Sequence, residues 1–344
     1  MLIMKRFFVC CFVCLLFVSC GRKSDSLSFQ AMDTFMTVRS YGRNCREANR
    51  LARKSLLECE DLISTTKENS LIYMLNEEPE KGVKTGVEIC GLVDFSIKMA
   101  ERTYGALNPV LFPVTRTWGF TSGNFRIPDE QEIEELLKLV DYRNIKIEPA
   151  EDSAEKAEFR ISMKAGMMMD LGAVGKGFAG DRVLKMLSLA GIESAIIDLG
   201  GNIQVLGNKP DGSPWTVGVK NPWGGEPVCG IKVSDCAVVT SGGYERFFEG
   251  EDGRRYIHIF DGRTGCPVEN DLAAVTAVCA SGLYADSLST ALFVMGSEKA
   301  VSFWRENRDF DFVIIKKDAA VLYTAGLKGK IFFTAGTLAA VCVE

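Results

Sequence analysis

One stretch in the middle of the chain, 167–181 (MMMDLGAVGKGFAGD), limits the possible folds more than any other. A short apolar run ends at Asp170, and glycines follow at 172, 175 and 177 with Lys176 between the last two. Ala179, Val183, Met186, Leu187 and Ala190 then recur at helical spacing. The pattern predicts a strand, a glycine turn and a helix. Glycines let backbone approach a ligand closely, and a helix N-terminus offers free N–H groups to an anion. Lys176 adds a point charge there. The spacing matches neither GxGxxG nor GxxxxGK[ST], so a turn that merely joins two core elements accounts for it equally well.

The N-terminus carries its own signal. Lys5 and Arg6 precede an apolar run from Phe7 to Val18 that ends at Ser19-Cys20. That is the shape of a signal peptide, with an apolar core too short for a stable span. Phe17-Val18-Ser19-Cys20 is similar to a bacterial lipobox, with Phe17 where Leu is more usual. It predicts a signal peptide over 1–19, lipid on Cys20 and a polar tether over 20–27. An uncleaved membrane anchor is the other reading. The net charge of −5 gives no basic footprint, so no nucleic-acid partner is expected. With His258 as the only histidine, imidazole metal clusters are excluded. The cysteines beyond Cys20 form no CxxC pair and sit mostly in apolar runs, as small core residues do.

The remaining pattern predicts helices over 45–63, 87–104, 128–140 and 284–295. The polar segment 64–76 reads as irregular, and 255–260 reads as one strand carrying His258. Strands cluster late and helices early, so the expected class is α+β, with 28–344 as one unit of possible subdomains. Asp286 and Thr290 stand at i and i+4, which puts both oxygens on one helix side with Ser289 close by. A carboxylate, a hydroxyl and a carbonyl from elsewhere suit Mg²⁺. An N-cap aspartate followed by an ordinary helical threonine is the plainer reading.

Taken in order, eight pieces resemble the ApbE-type FAD:protein FMN transferases. They are Ala31-Met-Asp-Thr34; Asn108-Pro-Val with Trp118-Gly-Phe120; Asp170 to Gly177 with Asp181; and Asp198-Leu-Gly-Gly-Asn202. Pro210 to Trp215, Thr240-Ser-Gly-Gly243, His258 to Gly265 and Ala285-Asp286 to Thr290 complete the series. The resemblance spans about 28–325.

It implies binding of FAD and Mg²⁺, cleavage of the pyrophosphate, release of AMP and transfer of FMN to a Thr or Ser hydroxyl. Some members instead hydrolyse FAD to FMN and AMP; a lipoprotein that only binds FAD is a third reading. By position, the resemblance gives the metal to Asp286, Thr290 and the Ala173 carbonyl, with Ser289 beside them. It gives the FAD site to Met32, Trp118, Gly119, Phe120, Asp170, Lys176 and the backbone near Phe260. His258 becomes the general base. The implied acceptor is a flavinylated protein such as a membrane redox-complex subunit, reached by a lipid-anchored enzyme on the periplasmic side of the inner membrane. Three departures stand out: Asp33 where Gly is common, Thr66 where an aromatic residue often stacks on the nucleotide, and Gly262 where Pro is usual.

Overall fold

The structure, a computed structural model, describes residues 23–150, 158–336 and 339–344. The expected signal segment and Cys20 lie outside the described residues. The main sheet has nine strands, labelled here in chain order: β1 (Ser24–Ala31), β2 (Thr34–Tyr41), β3 (Ser194–Asp198), β4 (Asn202–Leu206) and β5 (Cys236–Gly242), then β6 (Leu272–Cys279), β7 (Asp311–Lys316), β8 (Val321–Thr324) and β9 (Ala340–Val343). Order in space follows order in sequence. Each strand runs antiparallel to the one before it, except that β9 joins β8 in parallel. The α+β expectation is met.

Simple strand order pushes the rest of the chain into excursions between neighbouring strands. The first, between β2 and β3, holds α1 (Cys45–Ile63), α2 (Leu71–Glu77), α3 (Val87–Arg102), α4 (Phe112–Thr117), α5 (Glu130–Leu137) and α6 (Gly172–Leu189). A second, between β5 and β6, is an arm with two short ribbons, Phe247–Glu249 with Arg255–Ile257 and Phe260–Asp261 with Cys266–Pro267. A third, between β6 and β7, holds α7 (Gly282–Met295) and α8 (Ser297–Asn307).

Helices cover one face of the sheet, and a small sheet of 215–219, 229–233 and 331–333 covers the other. This explains the continuous apolar runs of the central strands. On β7, Phe312 and Ile314 pack under the helices, while Val313 and Ile315 face the small sheet. Each such side chain contributes roughly 1.5–3 kcal/mol by leaving water. At the β1 end, Met36 and Val38 of β2 meet Ala48, Ala52, Leu56 and Cys59 of α1 and Ala179, Val183 and Leu187 of α6.

Four expectations need correction. The tether expected over 20–27 is already strand from Ser24, paired in register with β2. Its outward positions are Ser24, Ser26, Ser28 and Gln30, which gave a strand the look of a polar linker. The segment 64–76 is not irregular throughout: α2 begins at Leu71, capped by the Ser70 hydroxyl. Residues 167–171 are not a strand, and the glycines at 172, 175 and 177 lie inside α6 rather than before it. The strand expected over 255–260 breaks at His258, between the two ribbons. The cysteines at 45, 59, 90, 229, 236, 266, 279 and 342 are all unpaired, and four of them are buried.

Candidate active site

The glycines of α6 make room for protein. A Cβ on Gly177 would lie 2.2 Å from the Gly282 carbonyl oxygen, and one on Gly180 would lie 2.1 Å from Gln204 Nε2. Only glycine lets α7 and the β4 side chain come this close. The helix cost of glycine, about 1 kcal/mol each relative to alanine, is offset by that contact.

The start of α7 is fixed from α6 as well. Asp181 accepts from the Ser281 hydroxyl and from the Gly282 and Leu283 N–H groups, at 2.8, 2.6 and 3.0 Å. Ser281 is the N-cap, so Asp286 is not the cap that the plainer reading allowed; it sits one turn inside the helix.

There Asp286 is buried, and its Oδ2 accepts from the Gly177 N–H at 2.8 Å. That N–H is four residues on from Ala173, so the α6 segment carrying the expected carbonyl ligand meets Asp286 of α7. Burial raises the Asp286 pKa; the Lys176 charge, the Gly177 N–H and the Asn202 amide oppose the rise. The Ser289 hydroxyl donates to the Asp286 carbonyl at 2.9 Å and lies 2.8 Å from Ser241 Oγ. Ser241 Oγ in turn lies 3.3 Å from Thr290 Oγ1.

The cluster is therefore one buried carboxylate, three hydroxyls and a carbonyl. Among the described residues no group of three or more His, Cys, Asp or Glu side chains could form an all-protein metal cage. An oxygen-rich, one-carboxylate set fits Mg²⁺, which keeps waters and substrate phosphates as its other ligands. Beneath it, Gln204 Nε2 donates to the Gly177 carbonyl and to Asn202 Oδ1 at 3.2 and 3.0 Å, bracing the floor of the site.

Asp170 stands at the other side of the α6 start, with Oδ1 accepting from the Gly172 N–H at 2.7 Å. The side chain of Asn76 bonds both the N–H and the carbonyl of Met169, and Asp170 N–H reaches the Pro109 carbonyl. Burial raises the Asp170 pKa against the Gly172 bond and the charges of Arg246 and Lys176. Lys176, half-buried on the first turns of α6, acts electrostatically on Asp170, Asp286 and His258 alike.

His258 follows directly on the first ribbon of the arm. Its backbone N–H and its Nδ1 both meet the Arg246 carbonyl, at 3.1 and 3.0 Å. A carbonyl only accepts, so the ring is the Nδ1–H tautomer and Nε2 keeps its lone pair. Burial lowers the His258 pKa from 6.5 to about 4. The carbonyl bond and Glu245 pull it up, while Arg246 and Lys176 push it further down.

Trp118, Phe120 and Phe260 are buried against one another, with ring centroids 5.5 and 5.8 Å apart for the two pairs with Phe260. Phe125, Phe248 and Tyr256 complete the cluster. What this segment can offer a ligand is backbone rather than ring faces. Gly119, at φ 89°, turns the chain where a Cβ would strike the Asn124 carbonyl. Met32 lies in the β1–β2 turn at φ 48°, with its N–H on Glu60 Oε1 at 2.8 Å. Asp33 follows at φ 58°, so an aspartate takes the left-handed position where glycine is common. Thr66 is exposed.

Ser241 and Arg246 were assigned no role from sequence. Ser241 stood inside the quoted Thr240-Ser-Gly-Gly243 piece, which was its only signal; Arg246 had none.

The sequence model of the ApbE family matches residues 32–314. The chain belongs to the ApbE family. Among its relatives, the FAD:protein FMN transferase of Treponema pallidum (strain Nichols) is 33% identical, the match covering 80% of this chain and 79% of that one. That of Klebsiella pneumoniae (strain 342) is 29% identical, covering 77% and 81%. Of solved ApbE structures, the apbe protein of Thermotoga maritima superposes with a TM-score of 0.81 at 31% identity, covering 90% of this chain and 99% of that one. The apo flavinyl transferase ApbE of Pseudomonas stutzeri gives 0.77 at 26% identity, covering 92% and 98%. The mixed sheets and helices described above are thus the ApbE fold.

Proposed function

We propose that this protein is a Mg²⁺-dependent FAD:protein FMN transferase. The observation that supports it most is the meeting of α6 and α7 at Asp286, where a buried carboxylate takes the Gly177 N–H beside Lys176 and linked hydroxyls follow on the same helix. Asp286, Thr290 and the Ala173 carbonyl would hold Mg²⁺, with Ser289 and Ser241 setting the hydroxyls. The bound ion supplies charge neutralisation at the pyrophosphate.

Lys176 adds a cation to the same phosphates, and Asp170, Met32 and the backbone at 118–120 and 260 bound the nucleotide. His258 Nε2 takes the proton of an acceptor Thr or Ser hydroxyl. The hydroxyl oxygen bonds to the FMN phosphorus, the bond to the AMP oxygen breaks, and AMP leaves with that electron pair. Little covalent chemistry is asked of the protein; placement and charge carry the reaction.

The test is mass spectrometry of an acceptor domain after incubation with enzyme, FAD and Mg²⁺. An acceptor heavier by one FMN residue, with one AMP released per transfer, is expected. Free FMN and AMP forming at the same rate without acceptor would point instead to FAD pyrophosphatase activity. FAD bound tightly but never turned over would leave a binding lipoprotein.

Lys176→Ala should weaken FAD binding while leaving the melting temperature nearly unchanged. A half-buried lysine with its charge toward the site has little packing to lose, so the stability change should stay within about 0.5 kcal/mol. Isothermal titration beside a thermal melt checks this, and unchanged affinity with a large drop in melting would make Lys176 structural.

The proposal extends to place. The basic–apolar–Ser19-Cys20 start supports a lipid anchor at Cys20 on the periplasmic side of the inner membrane, near a membrane-bound acceptor. Stable anchoring takes more than one acyl chain, as bacterial lipoproteins carry. Cys20→Ser should release the protein or stall its processing, seen by fractionation and gel mobility; unchanged retention and mobility would refute the anchor.

A further inference from the structure

Arg246 lies in the arm between two parts of the site and touches both. Its Nη2 donates to the Phe120 carbonyl at 2.8 Å, across 126 positions of sequence. Its own carbonyl receives both the backbone N–H and the Nδ1–H of His258. The Phe120 bond completes the pinning of a short segment. Trp118 Nε1 donates to the Gly265 carbonyl, the Trp118 carbonyl receives the Arg126 N–H, and the Gly119 carbonyl receives the Gly123 N–H. Without the guanidinium, the Phe120 carbonyl would lose its partner beside a buried ring, which is costly for a backbone acceptor. The arm is shaped to bring Arg246 there: Gly242 and Gly243 admit the Tyr244 ring and Ile257 where a Cβ would crowd them.

We propose that Arg246 is a positioning residue for flavin transfer: its guanidinium locks the 118–120 segment against the arm while its carbonyl fixes the ring orientation of His258. This rests on His258 acting as the base. One residue thereby sets the distance between the backbone that bounds the nucleotide and the nitrogen that takes the proton. A groove formed by loops keeps such a distance only if something ties the loops together. The charges that face His258 are Arg246 and Glu245 from the arm and Lys176 from α6. Loss of the Arg246 cation would therefore ease protonation of the imidazole; loosening of the arm would do the same by relieving burial, so the charge is read from its return in Arg246→Lys.

The experiment uses Arg246→Gln, Arg246→Lys and His258→Ala in the full chain. Single-turnover transfer is measured with FAD, Mg²⁺ and an acceptor domain, and the imidazole of the FAD-free protein is titrated by NMR. His258 is the only histidine, so its ring signals need no assignment. Arg246→Gln should slow transfer about 10–100-fold, as loss of a supporting contact does elsewhere, and move the His258 titration to higher pH. Arg246→Lys should restore the titration, because the charge returns, and recover only part of the rate, because the planar fork does not. Wild-type rate and titration in Arg246→Gln would overturn the proposal. If that variant does not fold, full wild-type rate in Arg246→Lys would overturn it, and a slowed, folded Arg246→Lys would support it. An unchanged rate in His258→Ala would remove the base assignment itself, whatever Arg246 does; slowed His258→Ala with wild-type Arg246→Gln would remove only the positioning role.

Discussion

Asp286→Asn is expected to abolish Mg²⁺-dependent turnover while leaving the metal-free protein at least as stable as wild type. The carboxylate is buried on α7, and burial disfavours its charge. It is met by the Gly177 N–H and by the Asn202 amide. An asparagine keeps an oxygen for the Gly177 N–H and removes a desolvated charge, which offsets what is lost toward Asn202 and Lys176. The metal loses its only carboxylate in the cluster. Charge neutralisation of the pyrophosphate is worth several kcal/mol; about 4 kcal/mol corresponds to roughly a thousandfold in rate.

Thermal melts with and without Mg²⁺ separate the two effects. Wild type should gain stability from the ion, by about 2.7 kcal/mol at a hundred times its dissociation constant, and Asp286→Asn should gain almost none. Excess Mg²⁺ or Mn²⁺ should recover part of the activity. An Asn variant that still turns over, or that Mg²⁺ still stabilises as it does wild type, would remove Asp286 from the metal site.

How much of this was legible in the chain depends on the range of the interaction. Helix α1 runs over 45–63 as its periodicity predicts, because Ala48, Ala52, Leu56 and Cys59 form one apolar stripe that packs on β2 and α6. The start of α6 misled, because glycine disfavours helix interiors and the reason for tolerating it lies far off in sequence, at Gly282 and Gln204. β1 was hidden by serines on its solvent face. The i, i+4 spacing of Asp286 and Thr290 places both on one helix side, and both do belong to α7. Ser241 was out of reach of such reasoning: its place between Ser289 and Thr290 exists only once β5 lies beside α7. The motif order, read as a resemblance to ApbE proteins, carried the long-range information that periodicity cannot.

His258→Ala is expected to slow transfer by about 10²–10⁴-fold, the usual loss for a general base, with FAD and Mg²⁺ binding nearly intact. Three features make the ring suitable. Its Nδ1–H is committed to the Arg246 carbonyl, so Nε2 is left as an acceptor. Burial lowers its pKa to about 4, so the ring is neutral near pH 7. The diphosphate of a bound substrate would then raise its basicity, since nearby negative charge favours the imidazolium.

The stability of the protein follows from the same depressed pKa. Between about 4 and 6.5 the folded ring binds fewer protons than the unfolded one, so stability is complete above pH 6.5 and falls as pH drops through that window. Removing the imidazole removes this contribution, so the melting temperature of His258→Ala should fall less than that of wild type between pH 7 and pH 4.5. The transfer rate should also lose its acid limb in the variant; in wild type that limb lies above pH 4, because the bound diphosphate raises the pKa of the ring. Equal transfer rates for wild type and variant across this range would pass the base role to another group; equal melting slopes would show that the ring titrates as if it were free in water.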